Sequence, residues 1–217
     1  MPSTLSRNPT WKSKFEGILL NKQISAQLAQ VAVPSLRTSA WMRNASIALA
    51  GSAFVAVCAH LALPLYFTPV PLSMAPFAVL LLGLLLTPRL AAATLGAYLL
   101  EGALGLPVFA PTPGLTGLAH LLGPTGGYLL VYPLASFLIA FLVRRTERGF
   151  AAAAMSAAAG SLVILAGGAL WLAAWSHVSI PSLLTLSVVP FLPGDALKVA
   201  AAAALATGFR RVRRQAA

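Results

Sequence analysis

Charge is what this sequence has least of. Charged residues make up 9% of the 217, and only four are acidic. A soluble globular domain carries about 25% charged residues, so a surface bathed in water on all sides is excluded. The single cysteine, Cys58, leaves no disulfide scaffold and no Cys-rich metal site. No Gly-x-Ser-x-Gly elbow occurs, and no glycine-rich phosphate loop closes in Lys-Ser or Lys-Thr. The chain therefore has no motif for acyl hydrolysis and none for hydrolysing ATP itself. The first ~30 residues hold no apolar core of the kind a cleaved leader needs.

What is present is apolar, at 59% of the residues. Six stretches stand out, at about 45–63, 72–86, 90–104, 128–143, 150–175 and 191–209. A helix needs about 20 residues to cross a bilayer core. The second and third stretches have only about 15 each but read as two short helices, not one re-entrant hairpin. Pro88 suits a first helical turn, and a hairpin at mid-depth would strand Arg89 away from water. The expectation is an all-α membrane protein with six spanning helices in a domain over 45–210. A polar extension (1–44) precedes it and a basic tail (211–217) follows. Within the extension, Ile24 to Val33 suits either a short interfacial helix or a loosely held tail.

The net charge of +11 does not describe a nucleic-acid groove, because Lys and Arg cluster between the apolar runs. With the N-terminus placed in the cytoplasm, every basic residue except Lys198 falls on that side. These are Arg7, Lys12, Lys14, Lys22, Arg37 and Arg43, then Arg89, then Arg144, Arg145 and Arg148, then Arg210, Arg211, Arg213 and Arg214. That is the positive-inside pattern for six spans with both termini cytoplasmic. The long connection 105–127 then faces outward.

Glu101, Asp195 and Lys198 remain inside apolar segments. Asp195 and Lys198 are three apart and share a helix face. Pro193-Gly194 marks the helix start, where an acid is favoured by the dipole. A self-neutralising pair eases insertion, but charge inside a membrane is expensive and usually functional, so the pair is a candidate binding site. Glu101, with Tyr98 one turn before it, either completes a polar lining or reaches water from a helix end. The histidines His60, His120 and His177 fall at helix ends or loops without metal-ligand spacing, so no metal site is expected. Trp171 and Trp175 read as interface anchors. Ala48, Ser52 and Ala56 form a smooth stripe, either internal packing or a docking face for a partner subunit.

Long connections usually carry function. Val108, Phe109 and Leu115 are too apolar for an exposed loop and suggest a lid. Gly126 and Gly127 permit close backbone approach to a ligand or a helix end. Four blocks here are recognisable. They are Val70-Pro71-Leu72-Ser73-Met74, Gly102-Ala103-Leu104-Gly105-Leu106-Pro107-Val108-Phe109-Ala110, Gly123-Pro124-Thr125-Gly126-Gly127-Tyr128 and Pro193-Gly194-Asp195-Ala196-Leu197-Lys198. In order and spacing the chain resembles the BioY family, the biotin-binding membrane subunits of energy-coupling factor transporters, over about residues 45–210. Ala75-Pro76 stands where family members often carry Gln.

The resemblance implies a multi-pass plasma-membrane protein that captures biotin near the outer face and is not an enzyme. It implies a pocket drawing on Asp195, Lys198, Tyr98, Glu101, Val108, Phe109, Gly126, Gly127 and Tyr128. The implied partners are a membrane coupling subunit and two cytoplasmic ATPase subunits. No cofactor of its own is implied, since ATP is used by the partners. A subunit of the same class for another vitamin or a metal ion is the alternative.

Overall fold

The structure is a computed structural model that describes residues 21–23, 39–66, 68, 70–112, 114–146, 149–176 and 188–215. The chain divides into two compact units, residues 1–45 and 46–217. In the first, the described residues 21–23 and 39–45 are helical. The expected interfacial helix over Ile24 to Val33 lies outside the described residues.

The first apolar stretch forms α1, Ser39–His60. It begins before the expected Ala45 and ends before the expected Leu63. Leu63 precedes Pro64, which disfavours helical backbone. Instead β1 (Ala62–Leu63) pairs antiparallel with β2 (Leu72–Ser73), with Ala62 opposite Ser73 and Leu63 opposite Leu72. This two-residue ribbon closes the proline-rich turn at its base.

The second and third stretches are two helices, α2 (Ala75–Leu85) and α3 (Pro88–Ala103). Thr87 between them is extended, at φ −72° and ψ 153°, as the residue before a proline prefers. Gly105, at φ 93°, ends α3. Its N–H donates to the Gly102 carbonyl and that of Leu106 to the Glu101 carbonyl, the paired bonds of a glycine C-terminal cap.

The connection after α3 carries a short helix, α4 (Leu118–Leu122). The fourth stretch begins at Gly126, not Tyr128, as α5 (Gly126–Leu130) and α6 (Tyr132–Arg145). Pro133 in the first turn of α6 removes a donor where the two meet. The fifth stretch is α7 (Phe150–Ser176). The sixth, α8 (Leu192–Gln215), runs past the expected end near Phe209 and through most of the basic tail. Arg and Gln are good helix formers, and basic residues suit a helix C-terminus.

Helical segments thus occupy all six stretches. Among the described residues three helices are long and apolar enough to cross a membrane, namely Ser39–His60, Gly126–Arg145 and Phe150–Ser176. The 11-residue α2 and 16-residue α3 are short. The charges in α8 lower its hydropathy.

Lipid supplies little hydrophobic drive between helices, so close packing must hold them. Ile139 of α6 is gripped between glycines of two neighbours. A Cβ on Gly83 of α2 would lie 2.9 Å from the Ile139 Cβ, and one on Gly160 of α7 would overlap its side chain. At one end of the bundle, Arg144 donates to the Leu86 carbonyl at 3.3 Å, and Arg210 donates to that of Leu84. Both satisfy carbonyls left over where α2 stops. The β-ribbon, α4 and the start of α8 lie towards the opposite ends of these helices.

The stripe on α1 turns inward. Ser52 is fully buried, and Ala48 and Ala56 are half-buried. The large apolar side chains exposed on this helix in the main unit are Leu49, Phe54 and Val57. Ser52 at the centre of the stripe thus serves internal packing.

Candidate functional site

The first turn of α8 places the charged pair. The Asp195 N–H donates to the Phe191 carbonyl at 2.8 Å, which fixes the turn. One helical turn brings the Lys198 ammonium to 3.0 Å from Asp195 Oδ1. Ser161 of α7 donates its hydroxyl to Asp195 Oδ2 at 3.3 Å. Asp195 and Lys198 are only 8% and 7% exposed. Such burial is tolerable because each charge has its opposite and each carboxylate oxygen a donor. Lys198 has three N–H donors and its pairing with Asp195 occupies one, so donor capacity remains.

A cavity opens beside this pair, between the start of α8, α3, α7 and the α4–α5 segment. Tyr98, Tyr128 and Tyr132 line it, with Ile164, Leu165 and Phe191 as apolar walls. His120 and Thr125 line it from the connection after α3. Buried tyrosines offer an apolar face and a polar tip, a combination that suits a small, mostly apolar ligand with a few polar atoms.

Of the residues singled out in the sequence, Asp195, Lys198, Tyr98 and Tyr128 come together on this cavity. Val108 and Phe109 stand behind it. The Val108 carbonyl accepts the Tyr98 hydroxyl at 3.1 Å. Phe109 meets the Tyr98 ring edge-on at 5.4 Å and the His120 ring at 5.1 Å. Both therefore position lining side chains.

Glu101 does not line the cavity and instead accepts the hydroxyl of Ser52 from α1. Gly126 and Gly127 are the first residues of α5, not loop. A Cβ on Gly126 would overlap the Leu121 carbonyl, and one on Gly127 would overlap Trp171. Their smallness serves helix packing. Trp171 is correspondingly not an interface anchor, since its indole N–H donates to the Gly123 carbonyl at 2.8 Å and props the connection. Trp175 is 51% exposed.

A wider cavity of about 750 Å³ lies against the first. Leu106, Phe109, Leu115 and Thr116 of the connection line it, together with His60 and Pro64. Pro71, Ala110 and His120 border both cavities. Burial lowers the His120 affinity for a proton, opposed by its hydrogen bond with the Leu115 backbone. His60 Nδ1 sits 2.8 Å from the Ala56 carbonyl. Among the described residues no three His, Cys, Asp or Glu side chains group as metal ligands, and His177 lies outside them.

Ser161, Tyr132, His120 and Thr125 were not among the site residues read from the sequence. Ser161 is a lone hydroxyl in an Ala/Gly run, and Tyr132 a lone polar aromatic in an apolar one. Thr125 lay inside a recognised block.

The profile of the BioY family matches residues 25–215. The chain belongs to the BioY family. It is accordingly a multi-pass membrane transport protein and not an enzyme. A probable biotin transporter BioY of Pyrococcus horikoshii is 42% identical over 138 residues, which cover 64% of this chain and 79% of the relative. The biotin transporter BioY of Thermotoga maritima is 35% identical over 161 residues, covering 74% and 92%. A crystal structure of the S-component for biotin from an ECF-type ABC transporter superposes with a TM-score of 0.72 at 26% identity. It covers 80% of this chain and 93% of that one.

Proposed function

We propose that this BioY-family chain is the biotin-capturing subunit of an energy-coupling factor transporter and acts in biotin uptake. The observation that carries the reading is the buried Asp195–Lys198 pair on the wall of the inner cavity. Biotin has a cyclic urea head with two N–H donors and one carbonyl, and a tail that ends in a carboxylate. Ionised Asp195 can only accept, so it suits a urea N–H, while Lys198 can only donate and suits a carbonyl or carboxylate oxygen. Hydrogen bonds to charged groups contribute about 1.5–3 kcal/mol each. Tyr98, Tyr128 and Phe191 offer the bicyclic ring an apolar bed.

The arginines gathered where α2 ends support a six-helix arrangement with that end cytoplasmic, both termini inside and the cavities facing outward. In that arrangement the wider cavity is the entrance. No motif for ATP hydrolysis lies in the chain, which agrees with energy supplied by a membrane coupling subunit and two ATPase subunits, and with no cofactor of its own. Equilibrium biotin binding to the purified full chain in lipid nanodiscs tests the reading. Saturable binding that excess unlabelled biotin competes away is expected, and its absence would overturn the assignment.

A further inference from the structure

Thr125 is buried, 7% exposed, and lines the inner cavity. Its hydroxyl oxygen is the one buried side-chain polar atom among the described residues without a hydrogen-bond partner. That is unusual for its place in the chain. Thr125 is the residue that begins α5, where a threonine oxygen normally accepts from a backbone N–H of the first turn. Here it makes no such bond. The backbone around it is also held. Gly126 and Gly127 pack against the Leu121 carbonyl and Trp171, and the Trp171 indole holds the Gly123 carbonyl. A fixed backbone that holds a buried hydroxyl beside a cavity without a protein partner is costly unless a ligand completes it.

The cavity has polar groups from two sources. Asp195 and Lys198 come from α8, and Thr125 and His120 from the connection after α3. Ala110 and His120 of the connection also border the wider cavity, so the connection's side of the pocket adjoins it. An elongated ligand whose urea is taken by the charged pair leaves its other, better-hydrated end on that side. We propose that the Thr125 hydroxyl donates to the tail carboxylate of the bound ligand and selects for it. This rests on the biotin reading above.

Thr125→Val keeps the shape of the side chain and removes only the hydroxyl, and Thr125→Ser keeps the hydroxyl. Binding of biotin and of an analogue whose tail ends in methyl is measured on the full chain in nanodiscs, beside the thermal midpoint without ligand. Thr125→Val is expected to weaken biotin binding roughly five- to tenfold and leave the methyl analogue unchanged. Thr125→Ser should bind biotin within about twofold of the parent. Without ligand, the midpoint of Thr125→Val should equal or exceed the parent's, because an unpaired hydroxyl is gone. Equal loss for both ligands, unchanged biotin binding, or a lowered midpoint without ligand would each overturn the assignment. If the parent chain itself fails to bind biotin, the proposed function falls first and this assignment with it.

Discussion

Asp195 and Glu101 are both acids set in apolar helices, and each accepts a hydroxyl from a serine on a neighbouring helix, Ser161 and Ser52 respectively. Their surroundings separate them. Asp195 has Lys198 at 3.0 Å and the cavity beside it. Glu101 lies off the cavity near the end of α3, and its bond ties α3 to α1. A charge inside an apolar helix is therefore not enough to mark a site. A paired opposite charge bordering a cavity distinguishes the binding acid from the strut.

The largest effect is expected from removing either charge of the buried pair. Asp195→Asn, or Lys198→Ala, should weaken biotin binding at least tenfold, about 1.4 kcal/mol, while the protein still inserts. Unchanged affinity in both variants would reduce the pair to an aid to insertion. A second test acts on the struts. Gly127→Val forces a side chain into Trp171 and should lower stability by about 1–3 kcal/mol, read as a fall in thermal midpoint. A smaller effect is expected for Ser52→Ala, which leaves Glu101 without its serine. It should cost about 1 kcal/mol of stability and change biotin affinity by less than about threefold. A large loss of affinity there would place Glu101 with the ligand after all.

The smallest effect concerns His120. Burial disfavours its protonated form, so its pKa in the folded state lies below the ordinary 6.5. Packing of the connection is then fully retained above about 6.5 and lost progressively as pH falls below it. Once the base-catalysed intrinsic rate at each pH is divided out, the protection of amides in residues 115–123 should fall modestly on acidification. Asp195 and Lys198 line the same cavity, so His120→Gln is the control and should flatten the dependence.

The six helical segments were legible because long apolar runs and their punctuation are local properties. Pro88 marked the start of α3, and Arg89 argued for two helices over a hairpin. Asp195 and Lys198 were legible too, since three residues in a helix bring two side chains together. The role of Glu101 was not, because it depends on Ser52, 49 residues away. Gly126 and Gly127 looked like loop because nothing nearby in sequence reveals Trp171 packed against them. The end of α1 turned on a ribbon pairing Leu63 with Leu72, a contact that hydropathy does not record. His120 passed as an interfacial residue because its burial against Phe109 is a tertiary fact.

The most direct measurement is a structure of the chain with biotin bound in lipid. Urea atoms are expected within about 3 Å of Asp195 and Lys198, with Glu101 still held by Ser52. A urea seated in the wider cavity, or bonded to Glu101 with the Asp195–Lys198 pair untouched, would contradict this.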